Sequence, residues 1–195
     1  MGRIFVTSDT HFGHDREFVW KVRGFNSVEE MNAAIIERWN SVVTPEDEVY
    51  HLGDVMLGDN DIGVKCLEQL NGKIWILTGN HDTNNRIQRY VNISPNILHL
   101  GYATVLKYKK LHFYLSHYPT MTSNLEKGNH LYEHMLNLYG HTHQMTNFYN
   151  GIPFMYHCGQ DSHNCTPVLL DDIIEDIKTE AAKCVKFTEG ENENE

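Results

Sequence analysis

The sequence predicts a single α/β domain. Three observations carry that expectation: strand-like and helix-like segments alternate through the first 80 residues, the second half is rich in strand patterns, and polar residues able to hold metals stand where the apolar strands stop. With 195 residues, 41% of them apolar and 11% aromatic, the chain can bury a core, which excludes disorder for its body. The domain is expected to span residues 1–187.

Residues 4–7 form a short apolar run that stops at Ser8-Asp9. Ser27 with Glu30 three residues on makes a capping box, and Val28, Met31, Ile35, Trp39 and Val42 then recur at helical spacing until Pro45. Residues 48–52 read as a second strand closed by Gly53-Asp54. A weaker helical pattern through Ile62, Cys66, Leu67 and Leu70 stops at Asn71-Gly72, and a third strand, 73–78, runs into Gly79-Asn80-His81-Asp82. This alternation predicts βαβ units with parallel strands.

The second half changes character. Residues 98–108 and 111–116, separated by Lys109 and Lys110, read as a hairpin, and 148–149 and 153–156 flank an Asn150-Gly151 turn. Residues 136–139 form another strand before Gly140-His141-Thr142-His143. An acidic helix over 171–185 closes the body, with Ile173, Ile174, Ile177, Ala181 and Cys184 on one side.

Charge and composition narrow the function. The balance of 26 acidic against 16 basic residues, net −10, argues against stable binding of nucleic acid by a broad basic surface. Residues 171–195 alone carry −6, and 188–195 read as an acidic, disordered tail. Four cysteines without a C-x-x-C pair suggest reduced thiols. No secretory leader and no run of about 18 apolar residues is seen, so a cytoplasmic protein without membrane contact is expected. The 13 histidines point to metal ligation or proton transfer.

The ends of the strand patterns carry Asp9-Thr10-His11, Gly53-Asp54, Gly79-Asn80-His81-Asp82, Ser116-His117 and Gly140-His141-Thr142-His143. Ligands of open α/β sheets bind beyond the carboxyl ends of the strands, so these segments can converge. Convergence collects carboxylates, an amide oxygen and several imidazoles, about right for two metal ions. Such a mixed donor set suits Mn²⁺, Fe²⁺, Zn²⁺, Co²⁺ or Ni²⁺ better than Mg²⁺ or Ca²⁺. Two such ions about 3.5–4 Å apart can activate a water and clamp the oxygens of a phosphoester.

The five blocks D-x-H, G-D, G-N-H-[DE], a lone H and G-H-x-H, present in that order over residues 9–143, resemble the calcineurin-like metallophosphoesterase superfamily. Small single-domain prokaryotic and phage-type phosphoesterases are the most similar in look. The resemblance implies two β-sheets packed face to face and flanked by helices. It implies two divalent transition-metal ions, manganese foremost: Asp9, His11 and His143 hold the first, Asn80, His117 and His141 the second, and Asp54 bridges them. It also implies that His81 assists the leaving oxygen of a small phosphate ester, with Asp82 orienting its ring. The substrate expected is a phosphodiester or a nucleotide-like monoester. A protein-binding module on the same scaffold and a nuclease are the competing readings.

Other residues have plainer readings. Asp82 could instead cap a helix beginning near Asn84. His14 either approaches the substrate or packs against its loop. His51, His99 and His112 read as structural, while His130, His134 and His157 carry no assignment. Asp161 and His163 follow a strand end and either line the pocket or lie outside it, the second being the preferred reading. Lys107, Lys109 and Lys110 read as a solvated hairpin tip in preference to a nucleic-acid contact, and Trp20, Trp39 and Trp75 as core or helix-packing residues.

Overall fold

The structure, a computed structural model, describes residues 2–122 and 134–191, with side chains through residue 183. His130 lies outside the described residues, as do residues 192–195 of the expected tail and the side chain of Cys184. The first half builds β1 (Ile4–Thr7), α1 (Glu17–Trp20), α2 (Val28–Val42), β2 (Glu48–His51), α3 (Asn60–Leu67), β3 (Lys73–Ile76), α4 (Asn84–Ile93) and β4 (Ile97–His99). The second adds β5 (Ala103–Tyr108), β6 (Leu111–Ser116), β7 (Met135–Tyr139), β8 (Phe148–Tyr149), β9 (Ile152–His157), β10 (Val168–Leu169) and α5 (Leu170–Glu191).

Strands β1 to β4 lie side by side in chain order and parallel, and β10 pairs antiparallel on the other edge of β1. Right-handed crossovers between successive neighbours put every connecting helix on one face of such a sheet. Phe5, Val49, Ile74 and Ile76 accordingly share a core with Met31, Ile35 and Trp39 of α2, Leu67 of α3, and Ile87 and Tyr90 of α4. The opposite face is left for a second sheet, ordered β5-β6-β7-β9-β8. There Val6, Leu52 and Leu77 meet Phe113, Leu115, Leu136, Leu138 and Tyr156, with Ile173 and Ile177 of α5. The expected pair of sheets with flanking helices is present.

Local chemistry fixes the helix starts. Ser27 accepts the Glu30 N–H at 3.2 Å, but the Glu30 carboxylate reaches back one residue further than a capping box requires, to the Asn26 N–H at 2.9 Å. Asp59 caps α3 through the N–H groups of Asp61 and Ile62, and Thr83 caps α4. No helix among the described residues is long and apolar enough to cross a membrane.

Three expectations need correction. Residues 98–108 are not one strand: Ile97–His99 pairs with β3 in the first sheet, and Gly101, with φ +86°, turns the chain so that β5 opens the second. The anchor is the Thr78 N–H donated to the Gly101 carbonyl at 2.8 Å. Trp75 is neither core nor packed on a helix but half-buried on the sheet, stacked on Tyr50 and donating to Glu48. Lys109 is not merely solvated, since its Nζ pairs with Asp171 of α5 at 2.7 Å. The two expected hairpin turns do form, with positive φ at Lys109 and Lys110 and at Asn150 and Gly151.

Candidate metal centre

Strands β6, β7 and β9 run parallel, so their carboxyl ends share one edge, and a parallel bridge between Ser8 and Gly159 joins that edge to the end of β1. Six strand ends therefore face one crevice. The loops that leave them are pinned to one another: the Asp9 N–H donates to the Gly53 carbonyl at 3.0 Å and the His11 N–H to the Asp54 carbonyl at 3.1 Å. Beneath them His51 accepts the Gly53 N–H through Nδ1 at 3.2 Å and donates through Nε2 to Thr10 Oγ1 at 3.0 Å, because the Thr10 proton is committed to the Val55 carbonyl. His51 is structural, as its place on the strand suggests.

The backbone marks the same residues. Asp9, His11, Asp54, His141 and His143 all have φ between 49° and 67°, the left-handed region that non-glycine residues visit rarely. Such conformations cost about 1–3 kcal/mol each and cluster at functional sites. Five of the seven candidate ligands share this conformation. Glycines make the close approach possible: a Cβ on Gly79 would run into Asp54 Oδ1, and one on Gly140 into Ser8 Oγ and Asp9 Oδ2.

The donors gather in two groups. In the first, His11 Nε2 lies 3.2 Å from His143 Nε2 and 3.8 Å from Asp9 Oδ1, which is 3.9 Å from His143 Nε2. Asp9 Oδ1 is buried and has no hydrogen-bond partner. In the second, the Asn80 amide oxygen lies 2.9 Å from His117 Nε2 and 2.8 Å from His141 Nδ1. Asp54 stands between the groups, with Oδ2 3.5 Å from His117 Nε2 and 3.8 Å from His11 Nε2. All seven sequence-predicted ligands are thus brought together. The donor set fits metal ions: an orphaned buried carboxylate oxygen faced by imidazole nitrogens is costly unless a cation satisfies it.

Charge is distributed to match. Burial alone would raise the Asp9 carboxyl, but the imidazoles of His11, His117 and His143 and the Ser8 hydroxyl outweigh it and hold it below its ordinary value. Burial pushes the Asp54 carboxyl up and the His11 imidazole well down, keeping that ring a neutral lone-pair donor.

His81 sits at the rim, its side chain 42% exposed and its Nε2 4.0 Å from Asp54 Oδ2. Asp82 does not orient that ring. Its carboxylate accepts the N–H groups of Asp54 at 2.6 Å, Val55 at 3.3 Å and Gly79 at 2.9 Å, and the Tyr90 hydroxyl at 2.7 Å. Nor does Asp82 cap α4, which Thr83 does; it ties the loop after β2 to the loop after β3. His14 lies beside the site, 5.6 Å from His11 between ring centroids, with its other side against Phe18.

Arg23 escaped the sequence reading, and Asp161 belongs to the pocket rather than outside it: it accepts His143 Nδ1–H at 2.8 Å and the Arg23 guanidinium at 3.1 and 3.2 Å. Its signal was its place just past a sixth strand; Arg23, in a loop after α1, carried none. His163 stays outside, with Nε2 on the His157 carbonyl at 2.8 Å. Tyr118 packs its ring edge-on to His141 at 4.6 Å.

A sequence profile described as calcineurin-like phosphoesterase superfamily domain matches residues 3–160. An uncharacterized protein of Methanocaldococcus jannaschii is 45% identical over 84 residues, 42% of this chain and 48% of that protein. The Gene 66 protein of Mycobacterium phage L5 is 32% identical over 93 residues, 46% of this chain and 44% of its own. The chain thus spans under half the length of these two relatives. A crystal structure of a protein of unknown function from Aquifex aeolicus superposes with a TM-score of 0.65 over 90% of this chain and 99% of that one, at 20% identity, and shares the fold.

Proposed function

The chain belongs to the calcineurin-like phosphoesterase superfamily, and we propose that it is a two-metal phosphoesterase acting on a small phosphate ester. Asp9, His11 and His143 would hold one divalent ion, Asn80, His117 and His141 the other, and Asp54 both. The observation that carries this reading is the buried, unpartnered Asp9 Oδ1 faced by His11 Nε2 at 3.8 Å and His143 Nε2 at 3.9 Å. Manganese heads the candidates, with iron, zinc, cobalt and nickel suiting the same donors. When bound, the ions supply Lewis acidity toward the phosphoryl oxygens and acidify a water for in-line attack.

The chain's own groups do the rest. His117 donates Nδ1–H to the Leu52 carbonyl at 3.0 Å, so its Nε2 lone pair faces the site. His81, at the rim and outside the ligand set, is placed to give a proton to the departing oxygen. Asp82 supports it at one remove, by fixing the loops that carry Asp54 and His81. Cys66, Cys158 and Cys165 are buried free thiols, which fits a reducing compartment and supports a cytoplasmic location.

Hydrolysis of bis-p-nitrophenyl phosphate and p-nitrophenyl phosphate by the Mn²⁺-loaded protein tests the proposal. Turnover that disappears on chelation is expected. Absence of turnover in the loaded protein, or a His81→Ala variant as fast as the parent, refutes it.

A further inference from the structure

We propose that Arg23 and Asp161 form a buried positioning pair that aims His143 at the first metal ion and locks it to the loop carrying Asp9 and His11. The inference rests on the two-metal reading of the site and assigns to two further residues the job of holding one half of it.

The three first-site ligands are held unequally. The side chains of Asp9 and His11 are 0% and 3% exposed, whereas His143 is 43% exposed and lies on a loop beyond β7. Packing fixes the first two. The third ring needs another restraint, and Asp161 provides it: Oδ2 accepts the His143 Nδ1–H at 2.8 Å, which selects the tautomer whose Nε2 lone pair faces His11 Nε2 and Asp9 Oδ1.

Asp161 is in turn fixed from two sides. The backbone just beyond β9 delivers it through the Gln160 N–H donated to the Ser8 carbonyl at 3.1 Å. Arg23 then grips its carboxylate with Nε at 3.1 Å and Nη2 at 3.2 Å. The same guanidinium donates Nη2–H to the Asp9 carbonyl at 2.7 Å and Nη1–H to the Thr10 carbonyl at 3.2 Å. One planar group therefore spans the backbone of the Asp9-Thr10-His11 loop and the carboxylate behind His143. Only an arginine fork offers donors in that arrangement.

Stability is a poor explanation for the pair. The two side chains are 1% and 5% exposed, and a buried ion pair seldom stabilises a fold more than apolar residues of the same size would. Geometry at His143 is what apolar residues could not supply. In the second site His117 needs no such device, being 1% exposed and bonded through Nδ1 to the Leu52 backbone carbonyl, and His141 turns its own Nδ1 toward the Asn80 amide oxygen at 2.8 Å.

That asymmetry makes the test selective. The metal-free parent and its Asp161→Ala, Asp161→Asn and Arg23→Met variants are titrated with Mn²⁺ by calorimetry, and the loaded proteins are examined by electron paramagnetic resonance. Two ions are expected in the parent, with a spin-coupled spectrum. In Asp161→Ala one ion should bind about 10–100-fold more weakly while the other keeps its affinity, and the spectrum should become that of isolated Mn²⁺. Asp161→Asn, which keeps an acceptor for Nδ1–H, should recover part of the loss, and it carries the test if the alanine variant does not fold. A folded variant with both parental affinities overturns this inference while leaving the proposed function intact, as does an equal weakening of both sites. A parent protein that binds fewer than two ions overturns both.

Discussion

The Asp54 carboxylate accepts the backbone N–H of His81 through Oδ1 at 2.8 Å, and this bond turns Oδ2 toward His117 and His11. One oxygen is thereby fixed by the loop after β3, and the other is offered to the ligand groups. Burial pushes this carboxyl up, so holding it ionised in the metal-free fold is unfavourable. Asp54→Asn removes the charge and tolerates the left-handed backbone. Metal content should fall from two ions to one or none and kcat by at least about 10²-fold, while stability of the metal-free protein holds or rises by on the order of 1 kcal/mol. Metal analysis and urea unfolding check the two halves.

His81 is outside the ligand set, so His81→Ala should leave metal content unchanged. It should lower kcat by about 10²–10⁴-fold. If His81 gives a proton to the leaving oxygen, the loss must be larger for an alkyl ester than for a p-nitrophenyl ester, whose oxygen leaves more readily and needs less help. Comparing the two substrates decides it; equal losses would mean that the ring stabilises charge without transferring a proton.

Tyr90 is fully buried, and its hydroxyl donates to Asp82 at 2.7 Å. Tyr90→Phe should cost about 1–3 kcal/mol in urea unfolding and spare metal binding, because three backbone N–H groups still hold the carboxylate. Asp82→Ala strands those N–H groups and frees both loops. Its metal affinity and its stability should fall together.

His51 and His157 make the metal-free protein sensitive to mild acid. Burial pushes both imidazoles down to about 4, against the usual 6.5. Below pH 6.5 the unfolded chain takes up protons that the folded chain excludes, so their contribution is fully present above that pH and is lost progressively toward about pH 4. Each amounts to on the order of 3 kcal/mol. Urea midpoints measured from pH 4.5 to 7.5 should fall with acid, and His51→Gln should flatten the slope by about one proton.

Much of this was readable in the residues, for local reasons. The Ser27 cap, the Asn150-Gly151 turn and the three parallel strands each rest on patterns a few residues long, and the seven proposed ligands each follow a strand. What escaped depends on contacts distant in sequence. The break between β4 and β5 is set by Thr78 reaching Gly101, and β10 is two residues that pair with the far end of the chain. Asp82 looks like a partner for its neighbour His81 until the fold brings the Asp54 and Val55 N–H groups of the loop after β2 onto it, beside the Gly79 N–H of its own loop. Arg23 stands 138 positions before Asp161, and no periodicity can signal such a bond.

The left-handed backbone at Asp9, His11, Asp54, His141 and His143 would limit how the proposed centre is retuned for another metal. Asp and His, with Asn, are the non-glycine residues that tolerate this conformation best, so the residue types that suit the ions are also those that suit the chain. Exchanging any of the five for Glu or Cys would add backbone strain of about 1–2 kcal/mol to whatever the new donor contributes. Asn80 and His117 lie outside the left-handed set. Selection for altered metal preference would have its freest path through those two positions, both of them in the proposed second site.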